Sequence, residues 1–361
     1  MQRILILSND SFMLWKFRRE LISTMIASDM TVSLAVPAGR HADDLQSLGC
    51  NLLDTGRYHP VTGSRLAYNL YRRYLQLLRS EKPEMVVTYG AAPNVLGGLA
   101  CRKLGIPYCA NVQGLENLFN APITGGFSAF LYKAALKKAK TVFFENSGNA
   151  AFFRKKKITP ATRQTLLPGA GVNLQYYALQ PYPDHSVTRF LYVGQMKKEK
   201  GTDELLDAIK MLYDDCYEVC LDLVGAFDES YTEQMQVLKD MGIVRHHGFQ
   251  ADPRPYYAAA DCVVMPSHQE GMNNVLLEAA AIGRPVVASY IPGCREAMEE
   301  GTTGFSFRVQ DKYGLYDAMK KFAELSHQQR MEMGLAGRRR MEELFDKNYV
   351  VEDTMNAIFR V

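Results

Sequence analysis

Along the first half of the chain, short runs in which nearly every residue is apolar alternate with longer stretches whose apolar residues recur every three or four positions. The short runs predict strands over Arg3–Ser8, Thr31–Val36, Glu84–Thr88, Tyr108–Val112 and Thr141–Glu145. Apolar residues without polar alternation mark strands buried on both faces, the habit of parallel sheets. The periodic stretches predict helices over Trp15–Ala27, Ser64–Arg79, Asn94–Leu104, Ser128–Lys138 and Asn146–Lys157. Strand-helix alternation of this kind implies βαβ crossovers and an open α/β domain. The pattern lapses where Pro168-Gly169-Ala170-Gly171 and Pro181-Tyr182-Pro183 bracket a turn-rich stretch, which reads as an interdomain linker. It then restarts. Strands are predicted over Arg189–Val193, Val219–Val224, Ile243–His247, Cys262–Met265 and Pro285–Ser289, and helices over Thr202–Tyr213, Tyr231–Met241 and Asn274–Ile282. From Lys312 to Arg360 the tail reads as wholly helical. The expected organisation is an N-terminal Rossmann-like domain over 1–167, a linker over 168–186, a C-terminal Rossmann-like domain over 187–345, and a closing helix over 346–361 that packs back towards the first domain. Two such domains predict a cleft between them, with ligands at the carboxyl ends of the strands.

Composition narrows the class. With 361 residues, 47% hydrophobic and 22% charged, the chain has ordinary globular values, which argues against a disordered or fibrous protein. The seven cysteines include no CxxC pair, leaving little support for a zinc site or a redox motif, and their odd number in apolar settings suggests reduced thiols in the cytoplasm. Ile4 to Leu7 is too short for a secretory apolar region, and Met85 to Cys101 is interrupted by Gly90, Pro93, Asn94, Gly97 and Gly98, so a soluble or peripheral protein is expected. Charge is divided unevenly. Residues 1–185 carry 22 Lys+Arg against 11 Asp+Glu, residues 186–361 carry 20 against 28. That asymmetry points to an anionic surface or ligand met by the first half. No helix-turn-helix, RRM or zinc-finger pattern accompanies it, so nucleic acid is not the expected partner.

Candidate chemistry concentrates between Pro266 and Pro285. A buried strand ends at Pro266, a loop of Gly271, Met272, Asn273 and Asn274 follows, and Asn273 is placed to cap a helix that Gly283 and Pro285 stop. From Val275 to Ile282 every residue is apolar except Glu278. A carboxylate in that setting needs partners, and the two hydroxyls of a ribose would serve. The adjoining helix N-terminus suits a diphosphate, and Glu270 in the loop would face a sugar beyond it. The plainer alternative pairs Glu278 with Arg284 and leaves Glu270 solvated. Upstream, Gly194-Gln195-Met196-Lys197-Lys198-Glu199-Lys200-Gly201 joins a strand to a helix; Lys200 either reaches an anionic diphosphate or is simply hydrated. His246-His247, at a strand end, reads as structural or as lying near a base.

The segment from Glu270 to Glu278 resembles the EX7E motif of the retaining glycosyltransferases of family 4, which have the GT-B fold. Gly283-Arg284-Pro285-Val286-Val287-Ala288, Pro292-Gly293-Cys294-Arg295-Glu296 and Gly301-Thr302-Thr303-Gly304-Phe305 strengthen the likeness. The resemblance implies two Rossmann-like domains with parallel sheets facing a cleft, and C-terminal helices. It makes Glu278 the ribose ligand, Glu270 the residue near the transferred sugar, Lys200 the diphosphate lysine, and Gly271, Met272, Asn273, Asn274 and Val275 the loop and helix start whose backbone holds sugar and phosphate. Gly194 matches the family's strand-ending glycine. Gln195 departs from the arginine usual there, and Lys197 or Lys198 is placed to compensate. On the acceptor side, Asn9, Arg18, Gln113, Gly114 and Glu116 look like features of bacterial surface-polysaccharide enzymes of capsule and lipopolysaccharide synthesis that use N-acetylhexosamine donors.

The chain contains no Asp-x-Asp pair to hold a metal on the diphosphate, so no metal and no cofactor beyond the UDP-sugar substrate is expected. The expected reaction transfers a hexose or N-acetylhexosamine, with retention, to a polyprenyl-diphosphate-linked saccharide at an anionic membrane surface on the cytoplasmic side. A nucleotide-sugar epimerase of the same fold and a non-catalytic nucleotide-sugar-binding subunit are the alternatives. A NAD dehydrogenase is disfavoured, because neither half opens with GxGxxG after its first strand.

Overall fold

In an extended chain successive side chains point to opposite faces, and in β1 (Arg3–Ser8) both faces are covered. Ile4 and Ile6 join a core with Leu14, Leu21, Ile22 and Met25 of α1 (Ser11–Ala27). Leu5 and Leu7 join another with Leu75 and Leu78 of α3 (Ser64–Glu81) and Leu136 of α5 (Gly125–Leu136). Residues 2–37, 39, 41–56, 64–114 and 125–359 are described by the computed structural model.

The chain divides into two compact units, Met1–Ala170 with Asn348–Val361, and Gly171–Lys347. In the first, β1 is joined by β2 (Thr31–Val36), β3 (Asn51–Asp54), β4 (Met85–Tyr89), β5 (Tyr108–Val112), β6 (Val142–Phe144) and β7 (Gln164–Leu166) in the order β3-β2-β1-β4-β5-β6-β7. α2 (Ala42–Ser47) lies between β2 and β3, α4 (Gly98–Leu104) between β4 and β5, and α6 (Ser147–Lys155) between β6 and β7. The second unit has β8 (Thr188–Val193), α7 (Thr202–Asp214), β9 (Val219–Val224), α8 (Thr232–Asp240), β10 (Val244–His246), α9 (Arg254–Ala259), β11 (Cys262–Met265), α10 (Asn274–Ile282), β12 (Val286–Ser289), β13 (Gly304–Phe307), α11 (Lys312–Ala323) and α12 (His327–Leu344), with strand order β10-β9-β8-β11-β12-β13. The paired strands are parallel in both sheets. Strand order reverses beside β1 and beside β8, and such a switch point opens a crevice at the carboxyl ends of the strands.

Several elements escape the sequence pattern. β3 is a half-exposed edge strand and β13 a four-residue edge opening on glycine, so neither has a run of apolar residues. α2 and α9, at six residues each, are too short for periodicity to register. The helical tail is three helices. Ser326 and Gln329 form a reciprocal capping box that starts α12, and α13 (Lys347–Phe359) follows a break at Phe345 and Asp346. Lys140 Nζ donates to the Ile358 carbonyl at 3.0 Å, tying α13 to the first sheet. The turn-rich stretch after Ala170 packs on the second unit: Val172 N donates to Phe345 O at 2.8 Å and Gln180 N to Ile282 O at 3.1 Å.

Beneath α1, Arg18 Nη2 meets Glu145 Oε1 at 2.6 Å, with the side chains 5% and 7% exposed, and its guanidinium lies 5.2 Å from the Tyr89 ring centre. A buried ion pair adds little beyond an apolar pair, yet removing one partner strands a charge. Glu145→Ala is therefore expected to lower unfolding free energy by about 3–5 kcal/mol, and the double variant Arg18→Met, Glu145→Leu to regain most of it. Chemical denaturation of the three proteins checks this; a Glu145→Ala protein as stable as the wild type would show that the pair is not isolated from water.

Candidate functional site

Residues 266–273 lead from β11 into α10, and the chemistry of this turn is set by its neighbours. Asn273 Oδ1 accepts from Leu276 N at 3.1 Å and so caps the helix, while Gly283 ends it at φ +89°. Asn273 N donates to Gly293 O at 2.9 Å, and Gly293 N to Glu296 Oε2 at 2.7 Å. A Cβ on Gly293 would come within 2.4 Å of Gly271 O, so the two loops touch backbone to backbone. Likewise Gly201, at φ +73°, lies where a Cβ would stand 2.1 Å from Pro266 O. That contact brings the turn after β8 against the end of β11, and His268 N donates to Glu199 O at 3.1 Å across it.

Glu278 sits in the middle of α10 and is 4% exposed. Its partner is not Arg284. Tyr257 Oη, from α9, donates to Glu278 Oε2 at 2.8 Å, and the Tyr177 phenol lies beside the carboxylate. Burial first, and the neighbouring Glu278 charge second, push both phenols far above their ordinary range, so they stay protonated and act as donors. Arg284, equally buried, donates instead to the carbonyls of Tyr257, Ala258, Gln180, Pro181, Ile282 and Gly283. Burial lowers its pKa to about 10, which leaves it charged at neutral pH. A guanidinium satisfied by peptide carbonyls cannot also turn to a carboxylate on the other face of the helix.

The second acid is placed differently. Lys200 Nζ meets Glu270 Oε1 at 2.6 Å, both side chains partly exposed, so the two segments singled out from the sequence converge on one ion pair. Lys197 pairs with Glu199 at 2.8 Å, and Lys198 and Gln195 are exposed on the same turn. Tyr192 Oη donates to Gln195 O at 3.0 Å, fixing the backbone there. Behind the turn, His268 Nε2 lies 3.0 Å from Glu204 Oε1 in the first turn of α7. Four buried polar atoms on this rim, Glu204 Oε2, Ser267 Oγ, Asn274 Oδ1 and Ser289 Oγ, have no hydrogen-bond partner among the described residues. Buried polar atoms are ordinarily satisfied, and a polyhydroxylated or phosphorylated ligand would supply what these lack. Gly194, Gly271, Met272, Asn274 and Val275 belong to the same rim, with Met272 buried. Among the described residues no three of His, Cys, Asp and Glu come together as a metal site.

In the first unit, Asn9, Gln113 and Gly114 follow β1 and β5, and the Asn9 side chain packs where a Cβ on Gly90, at the end of β4, would meet it at 2.5 Å. Arg18 is buried against Glu145, which follows β6 at the same carboxyl edge of the sheet. Glu116 lies outside the described residues. Tyr177, Tyr257 and the His268–Glu204 pair are not visible in the sequence pattern; an aromatic near an apolar run gives no sign that its hydroxyl is aimed at a glutamate far along the chain.

Comparison with known proteins agrees with this arrangement. A family model described as glycosyl transferase 4-like domain matches residues 14–170, and one described as glycosyl transferases group 1 matches residues 187–324. The chain is 24% identical, over 99% of both chains, to the N,N'-diacetylbacillosaminyl-diphospho-undecaprenol alpha-1,3-N-acetylgalactosaminyltransferase of Campylobacter jejuni. It is 27% identical to the capsular polysaccharide biosynthesis glycosyltransferase CapM of Staphylococcus aureus, over 45% of this chain and 43% of that one. In fold it is similar to the Anabaena HepE protein in complex with UDP and glucose, with a TM-score of 0.82 at 17% identity over 100% of both chains.

Gly293→Ala tests the backbone contact that holds the 266–273 loop. An alanine at φ +89° and 2.4 Å from a carbonyl is expected to destabilise the protein by about 1–3 kcal/mol, read as a lower thermal midpoint. Gly242→Ala is the control: it has φ +76° but open space around it, so it should cost less. Equal losses would show that backbone strain alone, and not the loop contact, sets the effect.

Proposed function

Because the chain belongs to the 4-like, group 1 glycosyltransferases and has the GT-B fold, we propose that it moves a hexose or N-acetylhexosamine from a UDP-sugar, with retention, onto a polyprenyl-diphosphate-linked saccharide in the synthesis of a bacterial surface glycan. The observation that carries this reading is the pair of acids eight residues apart, one buried in a helix and one ion-paired to Lys200 at the helix mouth. Glu278 accepts hydrogen bonds from the ribose hydroxyls. The N-terminus of α10 and Lys200 face the diphosphate, and Glu270 faces the sugar. The bond between the anomeric carbon and the diphosphate oxygen breaks with its electron pair leaving on UDP. The acceptor oxygen bonds to the same face of that carbon and gives its proton to the departing phosphate. The cationic surroundings stabilise the charge that develops on the leaving group.

Glu278→Gln is expected to weaken UDP binding by about 1.5–3 kcal/mol, or roughly ten- to hundredfold, since an amide replaces an ionic acceptor. Titration calorimetry with UDP measures it, and an unchanged Kd would remove Glu278 from the ribose. Glu270→Ala should lower turnover more than UDP affinity; a variant that loses both in equal measure would displace Glu270 from the sugar.

The acceptor's lipid anchor brings the protein to a membrane. Among the described residues no helix is long and apolar enough to cross one. Peripheral attachment by the first unit fits its surface better. α3 and α5 pack on the same face of the first sheet, with α4 between them. Outward they present Arg65, Leu66, Tyr68 and Arg72 from α3, and Phe127, Phe130 and Lys133 from α5, continued by Lys137 and Lys138. Tyr74, further along α3, is buried instead in the core. Basic side chains bordering exposed rings suit an anionic headgroup layer, each contributing about 1 kcal/mol. Co-sedimentation with phosphatidylglycerol-containing vesicles should therefore fall steeply with added salt and on reversal of Lys133, Lys137 and Lys138 to Glu. Failure to bind such vesicles at low salt would place the enzyme elsewhere.

A further inference from the structure

The partners of Glu278 are unusual for a buried acid. Its carboxylate accepts from the Tyr257 phenol and has the Tyr177 phenol beside it, while the guanidinium six residues further on is taken up by peptide carbonyls. Each phenol is held from behind. The Tyr257 carbonyl accepts from Arg284 Nε at 3.1 Å, and its N–H donates to Pro253 O at 3.1 Å. The Tyr177 carbonyl accepts from Arg338 Nη1 at 3.1 Å, and its N–H donates to Asn173 O at 2.9 Å. The two rings meet edge to face at 6.4 Å, and Tyr176 beside them stacks under Arg254, 3.9 Å from the ring centre. Neither hydroxyl can move far without breaking this frame.

A cation at Glu278 would neutralise it and compete with any incoming donor. A neutral hydroxyl orients the carboxylate without cancelling its charge, and hydrogen bonds to a carboxylate are the stronger for that charge. Taking Glu278 as the ribose ligand, we propose that Tyr257 and Tyr177 are positioning residues that aim its carboxylate and so set the enzyme's preference for a ribonucleotide with free 2′ and 3′ hydroxyls. Tyr257 reaches it from α9 and Tyr177 from the segment that opens the second unit.

The test compares the affinities of UDP and of 2′,3′-dideoxyuridine diphosphate for the full-length protein, by calorimetry. Wild type is expected to prefer UDP strongly. Tyr257→Phe keeps the ring and deletes the hydroxyl; it should lower UDP affinity about three- to tenfold while leaving the dideoxy nucleotide almost unaffected. Tyr177→Phe should act in the same direction, and the double variant should bring the ratio of the two affinities furthest towards one. A ratio retained in the phenylalanine variants, whether both nucleotides weaken together or neither does, would overturn the positioning role and leave the tyrosines as packing. A wild type that ignores the loss of both ribose hydroxyls would overturn the assignment of Glu278 itself. The two failures are told apart by whether the wild-type ratio or only the variants' ratio departs from expectation.

Discussion

The site depends on holding one ionised carboxylate inside an apolar helix. Glu278 lies between Leu277 and Ala279, and both neighbours are fully buried. Removing a carboxylate from water costs several kcal/mol unless hydrogen bonds replace the lost hydration. That requirement explains features that look unrelated in the sequence. α9 must set Tyr257 against α10, the segment after Ala170 must fold back to bring Tyr177 in, and Arg284 must gather the carbonyls of both. The same arginine thus fastens the start of the second unit to the helix that carries the acid.

A second constraint is close backbone approach. The switch point beside β8 places several strand ends in one small space, and glycines let their loops meet without side chains between them. Gly225 would put a Cβ 1.9 Å from Gly194 O, and Gly201 and Gly293 are similarly crowded. Loops locked backbone to backbone leave little freedom for Lys200, His268 or Glu270 to wander. The rim is preorganised by peptide contacts, and its side chains inherit that order.

The folds of both units were legible because buried parallel strands leave long apolar runs that little else produces. The 274–282 helix was legible for the opposite reason, a single acid where none should be. What escaped was local in one case and distant in the other. Edge strand β3 is half exposed and β13 alternates Gly304 and Ser306 with its two phenylalanines, so no apolar run marks them. The tyrosines of α3 recur at every third residue, and a helix turns about 100° per residue, so Tyr68 and Tyr74 diverge by about 120°. One is exposed and the other joins the core, which spacing alone does not show. The phenols on Glu278 and the carbonyl-bound Arg284 are set by tertiary packing, and nearest-charge pairing pointed to the wrong partner.

On the proposed assignment, the Lys200–Glu270 pair lets a diphosphate site stay compatible with its own acidic unit. Residues 186–361 carry eight more acidic than basic side chains, so a diphosphate approaches against the average field. An ammonium free at the rim would help, and Gln195 supplies no fixed charge where the family usually has arginine. In the structure the Lys200 ammonium is already held, 2.6 Å from a carboxylate that the same reading assigns to the sugar. A partly exposed pair of this kind contributes little on its own, about 0–1 kcal/mol, so a phosphate can share or take the lysine at small cost. On the assignment proposed above, Glu270 is then released to accept from a hydroxyl of the sugar. Phosphate capture and sugar recognition are then one event on one ion pair.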